Sequence, residues 1–186
     1  MQEKKQDARV RYTKMVIRSA LMALLSEKPI AKITVTEICA LAGINRATFY
    51  SHYQDPTDLL RCIELEMVED VMSRLGAAFN DSDSGLRSAL VSILEYIEKN
   101  ADICSILLSD SGDTSFQSRV VDILETQFVA PWSDARRLRL EDAEYIYTFC
   151  AIGAFGLIRK WLGDGMKKSA GEMAELILRL TDGIYD

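Results

Sequence analysis

A chain of 186 residues with 48% hydrophobic and 27% charged residues has the make-up of an ordinary globular protein of one or two small domains, which excludes disordered and fibrous classes. No apolar run approaches the roughly 18–20 residues needed to cross a bilayer, and the charged start MQEKKQDARVRYTK has no leader-like apolar stretch, so a cytoplasmic protein without a membrane partner is expected. The net charge of −6 is uneven: residues 1–54 hold nine Lys/Arg against four Asp/Glu, a net of +5, and the other 132 residues hold thirteen against twenty-four, a net of −11. A basic quarter on an acidic body suits a local polyanion-binding end, although a solvated basic surface gives the same count.

Helical periodicity dominates from the start. Val16, Ile17, Ala20, Leu21, Leu24 and Leu25 recur at three-and-four spacing, which predicts an amphipathic helix over 8–27 ending before Pro29. Thr34 and Glu37 form an S/T-x-x-E capping box for a second helix, with Ile38, Leu41 and Ala42 expected to face inward and Gly43 ending it in a left-handed turn. Asn45 caps a third helix through about 52. Asp55 followed by Pro56 restarts the chain as a fourth helix running to about 78. The polar stretch 80–85 breaks the pattern, and further helices are predicted near 85–99, 102–109, 114–129, 141–162 and 169–184. Ser169 and Glu172 repeat the capping box at the last of them. The expected fold is all-α, about nine helices, with a three-helix N-terminal domain over 1–54 and a larger helical bundle over 55–186.

Two short helices joined by a glycine-containing turn make a helix-turn-helix, whose second helix fits the major groove of DNA. At about 100° per residue, Phe49 and Tyr53 share the inward side of the third helix, while Ala47, Thr48, Tyr50 and Ser51 lie on the far side and Arg46 and His52 flank both. Small residues at 47, 48 and 51 let the helix approach the base edges. Arg46 can donate a bidentate pair to guanine or meet a phosphate, and Ala47 or the Thr48 methyl can touch a thymine methyl. Tyr50 and His52 can donate to phosphates, as can Thr34 and Thr36 at the start of the second helix. Thr34, Thr36, Asn45, Arg46, Ala47, Thr48, Tyr50, Ser51 and His52 are therefore the candidate DNA-binding residues. The run Lys4, Lys5, Arg9 and Arg11 can follow a phosphate strand or be a solvated terminus.

Catalysis is not expected. His52 is the only histidine, no nucleophile stands at motif spacing from it, and no nucleophile–base–orienter set can be assembled. Cys39, Cys62, Cys104 and Cys150 lie far apart without C-x-x-C spacing, so buried reduced thiols are expected, with neither a metal site nor a cofactor. The helix EDAEYIYTFCAIGAFGLIRKWL is apolar on more than one face, as a buried or subunit-shared helix would be. Small residues at Ala151, Gly153, Ala154 and Gly156 allow close approach of a second helix. With the last helix they nominate Ala151, Ala154, Phe155, Ile158, Met173, Leu176, Ile177 and Leu180 as a two-fold homodimer interface. The same stripes would also serve as the subunit's own core.

The stretch ITVTEICALAGINRATFYSHYQDPTDLL resembles the DNA-binding domain of the tetracycline-repressor-like (TetR) transcriptional regulators. Its apolar-Thr-Val-x-x-Ile, Ala-Gly-Ile, Thr-aromatic-Tyr-x-His-aromatic and Asp-x-x-x-Leu-Leu elements match in order and spacing over residues 10–62, and GAFGLIRKWLGDGMKKSAGEMAELI resembles the end of one branch of the family more weakly. Two departures are visible: Pro56 stands where a phosphate-contacting lysine is usual, and Cys39 where alanine is commoner. The resemblance implies a homodimer that binds a double-stranded DNA operator, usually as a repressor, with a small-molecule effector held in the C-terminal domain. Met67, Val71, Cys104, Leu107, Phe116, Val120, Phe149 and Trp161 are the candidate lining of that pocket, each equally readable as plain core. The rival readings are a regulator controlled by a protein partner without a metabolite pocket, and a small α-helical enzyme.

Overall fold

The computed structural model describes residues 2–79, 85–108, 116–123, 125–126 and 139–182. Among them the regular elements are all helical: α1 (Gln2–Leu25), a 3-10 turn (Ile30–Lys32), α2 (Val35–Ala42), α3 (Arg46–Tyr50), α4 (Pro56–Phe79), α5 (Gly85–Lys99), α6 (Ala101–Leu107), α7 (residues 116–123, resuming at 125–126), α8 (Leu140–Gly163) and α9 (Ala170–Asp182). The expected helix ends at 109, 114–115, 127–129 and 183–184, and the break at 80–84, lie outside the described residues.

The chain divides into two compact units, Met1–Met67 and Val68–Asp186. That division falls inside α4. Leu59, Leu60 and Ile63 on the first turns of α4 are at most 6% exposed, and Glu66 pairs with Arg18 of α1, which ties this half of the helix to the first unit. In that unit α1 packs on α2, and α2 on α3. Ile17, Ala20 and Leu21 of α1, Ile38 and Cys39 of α2, and Phe49 of α3 form its core with Tyr53 and Ile33.

Helix α1 begins at Gln2, earlier than the apolar periodicity indicates. The glutamate, lysine, glutamine and arginine residues ahead of Val10 are good helix formers with no glycine or proline among them, so propensity favours the earlier start. Every residue from Ala8 to Tyr12 is exposed. At the start of α4, Asp55 Oδ1 accepts from the Asp58 amide at 2.8 Å and the Asp58 carboxylate accepts from the Gln54 amide at 2.9 Å, the capping expected ahead of Pro56.

In the second unit α5 packs on α9 and on α6, while α8 packs on α6 and α9. Ile93, Leu94 and Ile97 of α5, Cys104 and Leu107 of α6, Phe116 and Val120 of α7, Ala143, Ile158 and Trp161 of α8, and Met173, Ala174 and Ile177 of α9 are buried. The turn from α8 to α9 uses Gly165 at φ 75°, where glycine lacks the Cβ that makes left-handed backbone costly. Trp161 Nε1 donates to the Lys168 carbonyl at 2.8 Å across this turn, and the Ser169–Glu172 capping box opens α9.

Candidate nucleic-acid interface

The α2–turn–α3 geometry follows from three local chemical signals. Thr34 accepts from the Glu37 amide at 3.3 Å while Glu37 accepts from the Thr34 amide at 3.0 Å, so two amides that a helix start leaves unpaired are satisfied reciprocally. Lys28 also donates to Glu37. That bond and those from Thr34 hold the Glu37 carboxyl at about 2, well below its ordinary 4.5. Gly43, at φ 67° and ψ 32°, ends α2 and turns the chain. Asn45 then caps α3, its Oδ1 accepting from the Thr48 amide at 2.8 Å. Helix α3 itself is five residues long, shorter than the stretch through 52 that the sequence indicates. The amides of His52 and Tyr53 both bond the Phe49 carbonyl, carrying the chain through one more turn that is not α-helical.

The inward side of α3 is as the helical angles indicate. Phe49 is fully buried and Tyr53 is 6% exposed, their ring centroids 5.9 Å apart. Thr34, Thr36, Asn45, Arg46, Ala47, Tyr50 and Ser51 are exposed, and Thr48 and His52 are half-buried. The nine nominated residues thus lie on one helix-turn-helix, but they are not equally equipped to donate. The Thr34 hydroxyl proton goes to Glu37 Oε2 at 2.8 Å, and the Ser51 hydroxyl donates to the Thr48 carbonyl at 2.7 Å. Both keep lone pairs, which phosphate oxygens cannot use. Tyr50, edge-on to Phe49 and 56% exposed, presents its ring and hydroxyl outward. The Arg46 guanidinium donates to the Thr36 hydroxyl. Residues 38, 41 and 42 were expected to share the inward face, yet Leu41 is 57% exposed and Cys39 takes the buried place. The cause is that α2 packs against both α1 and α3, which rotates its buried arc toward 39.

Residues 17–63 match the family model of bacterial regulatory proteins of the tetR family, and residues 86–183, more than half the chain, match a transcriptional regulator C-terminal region of the same family. The chain belongs to the TetR family of transcriptional regulators. A solved TetR transcriptional regulator from Streptococcus agalactiae is 25% identical with a TM-score of 0.68, covering 96% of this chain and 98% of that one. Two solved structures share the fold at 19% identity. One is NalD of Pseudomonas aeruginosa, a repressor of a multidrug efflux pump (TM-score 0.66; 92% of this chain, 96% of that one). The other is DhaS, a dihydroxyacetone kinase operon activator (TM-score 0.62; 93% and 96%). The helix-turn-helix regulator YxbF of Bacillus subtilis is 25% identical over 97% of this TetR-family chain, which spans about half, 47%, of that relative's length. These matches are all named as regulators of transcription. No helix among the described residues is long and apolar enough to cross a membrane, and among those residues no cluster of His, Cys, Asp and Glu is arranged to hold a metal ion.

The residues nominated for an effector pocket fall in both units and differ in exposure. Met67 belongs to the first unit and the other seven to the second. Cys104, Leu107, Phe116, Val120 and Trp161 are buried core, and burial pushes the Cys104 thiol up to about 12. Phe149 is 68% exposed, on the open side of α8. A cleft in the second unit is lined instead by Leu108, Gln117, Ile152, Phe155, Gly156 and Arg159. The nominated interface residues also divide. Ile158, Met173 and Ile177 are at most 8% exposed and belong to the subunit's own core, Ala151, Ala154, Phe155 and Leu176 are half-buried, and Leu180 is 52% exposed. Tyr145 and Ile152, which that nomination omits, are 74% and 55% exposed. With Phe149 they follow i, i+4, i+7 spacing, a signal already present in the sequence.

Proposed function

We propose that this TetR-family chain acts in the cytoplasm as a homodimeric repressor that places α3 in the major groove of an operator and leaves it when a small molecule binds the C-terminal unit. The observation that carries the DNA-binding part is the exposed face of α2 and α3. Ala47, Thr48 and Ser51 keep that face narrow, Arg46, Tyr50 and Thr36 supply outward donors, and the buried Phe49 fixes its orientation. Helix N-termini at Val35 and Arg46 add free amides where phosphates bind well.

The homodimer is supported by the exposed apolar line Tyr145, Phe149 and Ile152, beside Gly153 and Gly156, where an added Cβ would meet nothing within 4 Å. A second copy pressed there would bury the line, and a two-fold operator needs paired recognition helices about one DNA turn, ~34 Å, apart. Release by an effector is a population shift. A ligand that favours the wrongly spaced conformation lowers operator affinity by its differential affinity for that state. Control by a protein partner, without a metabolite pocket, is the competing reading. Selection of bound fragments from a random duplex pool, with light scattering on the purified protein, tests the proposal. A selected palindromic site and a dimer mass support it, and a monomer that enriches no site refutes it.

A further inference from the structure

Four cations of the first unit are held in two different ways. Arg18, Lys28 and Arg61 are each tied to a carboxylate, respectively Glu66, Glu37 and Asp58. Arg46 has no carboxylate partner among the described residues, and its guanidinium donates instead to the neutral hydroxyl of Thr36. The difference is chemical. A carboxylate would cancel the charge and compete with a nucleic acid, whereas a hydroxyl restrains the side chain and leaves the charge whole. One N–H of the five is spent, and the rest of the fork stays available for an acceptor pair such as guanine O6 and N7. The hydroxyl, accepting from Arg46, still has its own proton to donate. The buried Cys39 thiol, one turn beyond Thr36 on α2, also feels the Arg46 charge, which counters part of the upward push of burial. The bond to Thr36 thus lays the exposed Arg46 side chain along α2.

We propose that Thr36 is a positioning residue for base recognition: it holds Arg46 in one orientation across the seam between α2 and α3 and gives its own proton to a phosphate oxygen, so that base reading and backbone contact are made together. This rests on the major-groove reading of α3. An arginine free in solution samples many rotamers, and restraining it beforehand removes part of that entropy loss from the binding step.

The test uses the full chain and the duplex enriched from a random pool, with single-base variants of it. Binding is measured for the wild type, Thr36→Val, Thr36→Ser, Arg46→Ala and the Thr36→Val/Arg46→Ala double variant, with thermal melting to match their folding. Thr36→Val is expected to lower the preference for the favoured base at one position by about three- to tenfold, as expected for the loss of a preorganised arginine contact. It should add no further loss of preference once Arg46 is alanine, and Thr36→Ser, which keeps the hydroxyl, should restore the preference. Equal weakening on every duplex, or an undiminished loss in the Arg46→Ala background, overturns the proposal while leaving the major-groove reading intact. A wild type that retains no duplex overturns both. A second readout does not need a folded variant: in the free wild type, the Arg46 guanidinium nitrogen signals should show slower side-chain motion than those of Arg9 and Arg11, and equal averaging would also overturn the tether.

Discussion

Replacing Phe49 with alanine should unmake the DNA-binding face without touching any residue on it. Helix α3 has five residues, far below the ~12–15 that an isolated helix needs in water, so its shape depends on the side chain it buries. Phe49 is 0% exposed, and its ring sits 5.7 Å from Tyr50 and 5.9 Å from Tyr53. Truncation of a buried phenylalanine costs about 3–5 kcal/mol, and a unit of this size has a total of roughly 3–10 kcal/mol at typical per-residue stability. At about 4–8 °C per kcal/mol for a small domain, melting of the first unit should fall by at least ~12 °C. Phe49→Leu, which keeps most of the volume, should cost about 1.5 kcal/mol or less. Circular dichroism melting and retention of the selected duplex follow both variants, and retention should be lost for alanine and kept for leucine. A melting shift below about 4 °C for Phe49→Ala, or undiminished binding by it at 25 °C, would refute the claim that this ring holds α3 in place.

Other substitutions probe the separate parts. Arg46→Ala should lower discrimination at one or two base positions by about 1–3 kcal/mol, and a loss equal on every sequence would make Arg46 a phosphate contact only. Tyr50→Phe should weaken binding across all sequences if its hydroxyl meets a phosphate, and unchanged affinity at moderate salt would remove that role. Because the Glu37 carboxyl is held at about 2 in the folded chain against 4.5 ordinarily, its contribution to stability is complete above the higher value and lost as pH falls toward the lower. Glu37→Gln should therefore melt below the wild type near pH ~7, with the gap closing toward about pH 2.5, and a gap independent of pH would contradict the ion pair with Lys28. Phe149→Glu should shift the light-scattering mass from dimer to monomer without lowering helix content, because the side chain is exposed in one subunit. An unchanged dimer would place the interface elsewhere.

The parts of the fold legible in the sequence were those with a local chemical signature. Thr34 with Glu37, Gly43, Asn45, the Asp55–Pro56 restart and Ser169 with Glu172 each act within a turn of themselves, so spacing alone reveals them. Leu41 was misread because periodicity reports apolarity, and a helix packed on two neighbours buries an arc that depends on both. Phe149 shows the related difficulty that an apolar side chain reads alike whether it lines a cavity or stands on an open face. The hydroxyls of Thr34 and Ser51 were visible as residues, but where their protons go is decided by backbone geometry. The pairing of Thr36 with Arg46, ten residues on, needs the turn between the two helices before it can be seen.

The most direct test of the account is the retention of duplex DNA by the purified chain as a function of salt. Affinity for the selected duplex should fall steeply and linearly on logarithmic axes between about 50 and 200 mM salt, as several phosphate contacts require. The loss should be smaller in a variant lacking the outward donors Arg46 and Tyr50. Failure to retain any genomic or synthetic duplex at the low-salt end would contradict the assignment of the α2–α3 face to DNA.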